Sequence, residues 1–209
     1  MLIDKDIRVG DHVVKLAMPD PVEVRKNYEL KISNQKTDFP YWTKLWPSAI
    51  ALASFIDKNI HFVKDKRVLE IGAGLGLPSI VASYYAAAVV CTDYLPEVVY
   101  AIESNITKNQ RHNMTPALFD WRDGLFEFNF DVLLASDINY DTAEFSTVFS
   151  LFDKVLSQHK CILFSTPDRL QSRKFITDLQ NRFEQHLELV HREETEGVHS
   201  LVFLISTYA

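Results

Sequence analysis

Four short polar segments, each directly after an apolar run, carry the residue types from which a ligand site can be built. The first is Glu70-Ile71-Gly72-Ala73-Gly74-Leu75-Gly76-Leu77-Pro78. Glycines there let the backbone turn sharply and approach a ligand, and the helix that follows aims its first N–H groups the same way. A tight strand–helix packing turn would use the same glycines. A dinucleotide fingerprint would need its third Gly at position 77, which is Leu, and no Lys-Ser/Thr follows the glycines as in a phosphate loop. The second segment holds Asp93, 21 residues beyond Gly72, a spacing that suits a carboxylate binding ribose hydroxyls. A helix N-cap before Leu95-Pro96 is the alternative. The third is Asp120-Trp121, able to hydrogen-bond an adenine amino group and cover its ring face, or to be a surface acid beside a core indole. The fourth is Ser136-Asp137-Ile138-Asn139-Tyr140-Asp141. Asp137 can hold an incoming amine by charge and hydrogen bonds, with Tyr140 shaping the opening. Helix capping by Asp137 or Asp141 is the plainer reading, but a cap needs only one such residue. The seven histidines are scattered, and no HExxH, CxxC or Gly-x-Ser-x-Gly pattern occurs, so neither a metal nor a covalent nucleophile is expected.

The elements that position these groups alternate regularly. Residues 68–71, 89–92, 117–119, 132–135 and 161–165 read as short apolar strands, and 77–88, 96–110, 142–157 and 169–183 as helices. On the second of these helices Val98, Ile102, Asn105 and Ile106 share one side. The end, 186–191 and 199–206, reads as two strands about a Glu-Gly turn. Such alternation predicts βαβ units, and closing on a hairpin puts one antiparallel strand into an otherwise parallel sheet. The result is an α/β, three-layer αβα sandwich, whose ligands bind beyond the carboxyl ends of the strands where strand order reverses. Residues 1–39 look different. Short β-like runs at 12–16 and 28–32, separated by Pro19 and Pro21, suggest an accessory flap, with residues 40–209 as the main domain. An aromatic stretch from Phe39 to Trp46 then leads into a helix opened by Pro47.

The bulk numbers fit an ordinary soluble domain: 209 residues, 47% hydrophobic and 24% charged. With 22 Lys plus Arg against 28 Asp plus Glu, the formal charge of −6 argues against a nucleic-acid substrate, since phosphate neutralisation needs a basic surface. Cys91 and Cys161 sit in apolar runs and suit a reducing compartment. No signal-peptide pattern and no span of the roughly 20 apolar residues needed to cross a bilayer is present. A cytoplasmic protein without membrane attachment is expected.

Taken together, the segments resemble a Class I (seven-β-strand) S-adenosylmethionine-dependent methyltransferase, and more narrowly methyltransferase family 16, which contains protein-lysine N-methyltransferases. The lead-in Tyr41-Trp42-Thr43-Lys44-Leu45-Trp46-Pro47, the stretch VLEIGAGLGLPSI over 68–80, and Asp137-Ile138-Asn139-Tyr140 carry the match. The resemblance implies a Rossmann-like, mostly parallel seven-stranded sheet and S-adenosyl-L-methionine as cofactor. It implies that Trp46 lies near the methionine end of the cofactor and that Gly72, Ala73 and Gly74 pass beneath it with Glu70 in support. It further implies that Asp93 holds the ribose, Trp121 flanks the adenine, Ser136 touches the cofactor through its backbone, and Asp137 and Tyr140 border the target nitrogen. Asn139 and Trp42 are candidate substrate contacts. Phe39, Tyr41 and Trp42 would form a rim for a lysine stem, or the seam between flap and core. The acceptor implied is a protein lysine; a small-molecule amine on the same fold, or a nucleotide-binding or NAD-dependent oxidoreductase role, are the competing readings. Oligomeric state is not legible.

Overall fold

The computed structural model describes residues 2–32, 40–124 and 128–207. Among them the chain forms a two-stranded antiparallel sheet and a seven-stranded one. The small sheet pairs β1 (Leu2–Val9) with β2 (His12–Pro19), and helix α1 (Pro21–Ile32) follows. After α2 (Pro47–Lys58) come β3 (Arg67–Ile71), α3 (Leu77–Ser83), β4 (Ala88–Asp93), α4 (Pro96–Lys108), β5 (Met114–Leu118) and β6 (Val132–Ser136). The remainder is α5 (Phe145–Ser157), β7 (Cys161–Pro167), α6 (Leu170–Arg182), β8 (Leu187–Thr195) and β9 (Val198–Ile205). The large sheet runs β5-β4-β3-β6-β7-β9-β8, parallel except for β9, which is antiparallel to both neighbours.

Strands β3, β6 and β7 are apolar on both faces because helices cover both. On one face, α2, α3 and α4 close over Val68, Leu134, Leu163 and Val202. On the other, α5 and α6 cover Leu69, Leu133, Phe164 and Phe203. Helix α5 earns that place by its pattern: Phe145, Val148, Phe149, Phe152, Val155 and Leu156 recur at helical spacing on its buried side. Phe149 and Phe175 stack across α5 and α6 with centroids 4.7 Å apart.

The N-terminal segment departs from expectation. The β-like run at 28–32 lies inside helix α1, not in a strand. Local chemistry explains it: the Asp20 carboxylate accepts the Val22 N–H at 2.9 Å, Pro21 opens the helix, and Arg25 pairs with Glu29 one turn on. Strand β1, which pairs with β2, has no clear strand pattern in the sequence because four of its eight residues are charged. The hairpin packs its Val9, Val14 and Leu16 into the same core as α2 and α3. His12 stacks on Tyr84 at 3.8 Å and lies 2.8 Å from the Tyr85 hydroxyl, which donates to Asp57 at 2.7 Å.

Two asparagines one turn apart, Asn105 on α4 and Asn109 at its C-cap, take the open edge of β2 as another strand would. Asn105 Oδ1 accepts the Ala17 N–H at 2.6 Å, while Asn109 accepts from Lys15 N and donates to Lys15 O. Asn105 is fully buried and also donates to the carbonyl of Leu75, inside the glycine turn after β3. One amide thus ties the hairpin to the functional end of the sheet. Asn105→Ala strips partners from two buried backbone groups and should cost about 1–3 kcal/mol in equilibrium urea unfolding.

Glu70, on β3, is an ionisable group deep in the core. Oε2 accepts the Ser79 N–H at 3.0 Å, Oε1 has no partner, and burial pushes the carboxyl from an ordinary 4.5 up to about 8. The folded chain therefore keeps a proton that the unfolded chain releases between these values. The contribution of Glu70 to stability should be fully present below pH 4.5, fall as pH rises, and finish falling near pH 8. Glu70→Gln should flatten that decline in unfolding measured across the range.

Candidate active site

The site forms where strand order reverses. From β3 the chain winds outward through β4 and β5, then returns to lay β6 against the opposite edge of β3, with Ile71 beside Ala135. The loops after β3 and β6 are thereby brought together at the carboxyl end of the sheet, the crevice such folds use for ligands.

The glycine turn is held on two sides. Ala73 N–H donates to the Thr92 carbonyl at 2.9 Å, and Gly74 N–H donates to Asp93 Oδ2 at 3.1 Å. Gly72 has φ of +58°, and a β-carbon on it would lie 3.1 Å from Ile138 and 3.9 Å from the Trp121 indole nitrogen. Glycine suits that backbone and that gap; a side chain there would be strained and would press on Ile138. Gly74 faces the backbone of Trp42, whose Cα would lie 4.0 Å from a β-carbon there. Three loops, after β3, β5 and β6, thus close around Gly72.

Asp93 ends β4, and 5% of its surface is exposed. Oδ1 accepts from Leu95 N–H at 3.3 Å, closing a turn just ahead of α4, whose N-cap is Leu95 and carries no side-chain cap. Burial raises its pKa while three backbone N–H groups oppose the rise. A carboxylate offers about four acceptor sites, so the bonds to Gly74 and Leu95 leave capacity for a further donor.

After β6, Ser136 is half-buried and Asp137 adopts φ of +52°, its N–H donating to Ser165 on β7 at 2.8 Å. A non-glycine residue held left-handed at a loop start costs energy that the surrounding structure must supply. The Asp137 side chain is 10% exposed, and Arg169 Nη2 lies 3.3 Å from its Oδ1. Burial pushes this carboxyl up to about 6, and Arg169 pulls it back. Asp141, by contrast, caps the next turn through Ala143 N–H. Tyr140 stands exposed at the mouth, its ring 5.4 Å from Tyr41. Tyr41 in turn lies 6.1 Å from Trp46, whose indole N–H donates to the Tyr41 carbonyl.

The structure brings Gly72, Ala73, Gly74, Asp93, Trp121, Ser136, Asp137 and Tyr140 to one end of the sheet, with Glu70 buried behind and Trp46 at the edge. Two candidates are placed differently from a direct ligand contact. Asn139 is buried and receives a hydrogen bond from Thr166 on β7, leaving its amide nitrogen without a partner. Trp42 packs on the hydrophobic core, along the seam with α2 and α3. Phe39 lies outside the described residues. Asp120 is taken by Arg122, which also reaches Glu144 and covers Tyr94. The sequence assigns Arg169 no role in the site, although the run Thr166-Pro167-Asp168-Arg169 also follows a strand, β7; its signal is a basic residue at a helix start, where the dipole favours acids.

These residues fit a nucleoside-bearing cofactor. Gly72 keeps clear the space a side chain would fill, and Asp93 retains acceptors for hydroxyls.

The lysine methyltransferase family model matches residues 24–182. The chain is 34% identical over 174 residues to protein-lysine methyltransferase METTL21E of Bos taurus, a match covering 78% of this chain and 58% of that relative. It is 26% identical over 205 residues to protein N-lysine methyltransferase METTL21A of Danio rerio, covering 95% and 93%. The chain thus spans little more than half of the bovine relative and nearly all of the fish one. Among solved structures, the 16S rRNA methyltransferase RsmC of T. Thermophilus, in complex with AdoMet and guanosine, superposes with TM-score 0.65 at 13% identity, covering 98% of this chain and 50% of that one. A precorrin-6y methyltransferase from Geobacter metallireducens gives 0.58 at 15%, covering 74% and 86%, so the fold is shared across unrelated acceptors. With the family model running from α1 to α6, the chain belongs to the lysine methyltransferase family.

Proposed function

We propose that this protein transfers a methyl group from S-adenosyl-L-methionine to the ε-nitrogen of a lysine on a protein substrate, in the cytoplasm. The observation that carries the reading is the meeting, at one switch point, of a left-handed glycine turn and a nearly buried carboxylate under an exposed aromatic edge. Family membership and the named lysine methyltransferase relatives support it. Among the described residues no helix is long and apolar enough to cross a membrane, and the charge of −6 gives no general attraction to nucleic acid.

When bound, the cofactor would supply an activated sulfonium methyl, which the amine lone pair would accept while the electrons of the S–C bond stay with sulfur. The chain's task is alignment, which can supply about 7–11 kcal/mol of a barrier. In this reading Gly72, Ala73 and Gly74 carry the cofactor on their backbone, Asp93 accepts from its ribose, Trp121 walls the base and Ser136 adds a backbone contact. Glu70 fixes the start of α3 through Ser79, and Trp46 borders the methionine end. Asp137 orients the nitrogen and Tyr140, with Tyr41, flanks the lysine stem. Asn139 shapes the site from beneath through Thr166, and Trp42 holds the glycine turn from the core side.

Calorimetric titration should show S-adenosylhomocysteine binding and no NAD binding. Asp93→Ala should weaken that affinity at least tenfold in protein of unchanged secondary structure, since charge-assisted hydrogen bonds contribute about 1.5–3 kcal/mol each. Equal affinity for NAD would defeat the reading. With labelled S-adenosylmethionine and a heat-inactivated cell lysate, label should enter precipitable protein as methyl-lysine; label confined to acid-soluble compounds would point to a small-molecule acceptor. Asp137→Asn should lower that incorporation at least tenfold with S-adenosylhomocysteine affinity retained.

A further inference from the structure

Asp137 creates an electrostatic problem for the reaction proposed above. A carboxylate beside an incoming lysine stabilises the ammonium, whereas only the neutral amine has a lone pair to donate. The structure places a second charge at this point. Arg169, between β7 and α6, points its Nη2 at Asp137 Oδ1 over 3.3 Å. The backbones that carry both side chains are anchored. The Asp137 backbone is pinned in its left-handed turn by Ser165. Arg169 is bracketed by Asp168 N–H donating to His199 O at 2.7 Å and Ser172 N–H donating to the Arg169 carbonyl at 2.9 Å. The Arg169 Nε is buried without an acceptor, a cost that an optimally stable surface arginine would not carry.

We propose that Arg169 is a positioning residue that sets the protonation state of the bound amine, sharing the charge of Asp137 so that the carboxylate orients the nitrogen without holding its proton. The inference rests on the reading of this site as an amine methyltransferase. A cation one carboxylate away disfavours a second cation, so the substrate N–H bond breaks with its electron pair left on nitrogen. The proton leaves to water through the exposed mouth beside Tyr140. Of the other charged groups near the mouth, Asp93 accepts from Gly74 and Leu95, Asp141 from Ala143, Arg122 pairs with Asp120 and Glu144, and Lys44 lies over the Trp46 ring. Asp137 is thus left to Arg169 and the substrate. The direction of its titration agrees, with burial pushing the carboxyl up and Arg169 opposing it.

Two arms test this with Arg169→Gln and Arg169→Lys. In the first, the rate of label transfer from saturating S-adenosylmethionine to heat-inactivated lysate protein is followed against pH. The alkaline rise should move up by about one pH unit in Arg169→Gln and stay near wild type in Arg169→Lys. A uniform drop at every pH, with weakened S-adenosylhomocysteine binding, would mark a merely structural role and overturn the inference. The second arm needs no substrate. Carboxyl-carbon NMR of the free protein should show Asp137 titrating about one pH unit higher in Arg169→Gln, and an unmoved titration would overturn the proposal. Absence of any methyl transfer by wild type, with the NMR shift present, would instead fault the assigned reaction.

Discussion

The parallel pairing of β3 with β6 is the contact on which the rest of the molecule depends. There the chain, having wound outward through β4 and β5, crosses back, so the loops after both strands emerge side by side. Gly72 and Asp137 begin those loops, and both are left-handed. Two sharp turns at adjacent strand ends leave a crevice instead of a closed packing surface. The glycine achieves this without strain, while Asp137 needs Ser165 on the neighbouring strand to hold it.

Charge within the crevice is managed by burial and by short-range partners more than by surface potential. Asp93, Glu70 and Asp137 are all carboxyls pushed upward by loss of water, yet each is answered differently. Backbone N–H groups answer Asp93, which stays poised as an acceptor. Glu70 has one N–H and an orphaned oxygen, so near neutrality it favours the protonated form. A guanidinium answers Asp137, leaving it the carboxyl in the mouth whose charge an incoming cation can still alter. Three like residues within one site thus take three states from their surroundings.

The hairpin at the amino end is bound into this arrangement through Asn105. Its side chain completes the open edge of β2 and the carbonyl of Leu75 together, so hairpin and glycine turn share one buried amide. On the opposite face the stacked phenylalanines of α5 and α6 hold β7, and with it Ser165 and Arg169, against β6. Both layers therefore reach the site through hydrogen bonds at strand ends.

Much of this was legible in the residues themselves. Apolar runs of strand length alternating with helical patterns determined the α/β class, because each strand had to be buried on both faces. The glycines at 72 and 74, Asp93 and the Asp137–Tyr140 cluster stood at predicted strand ends, where ligand groups must lie. Local chemistry also misled: residues 28–32 look extended until the Asp20 cap, Pro21 and the Arg25–Glu29 pair are weighed together. Tertiary structure alone decided that Asn139 turns inward to Thr166, that Asp120 is consumed by Arg122, and that Arg169 meets Asp137 across 32 positions of sequence. Periodicity reports which side of an element is apolar. The partner of a polar side chain depends on which strand ends are neighbours, and that is settled only when the sheet closes on its core.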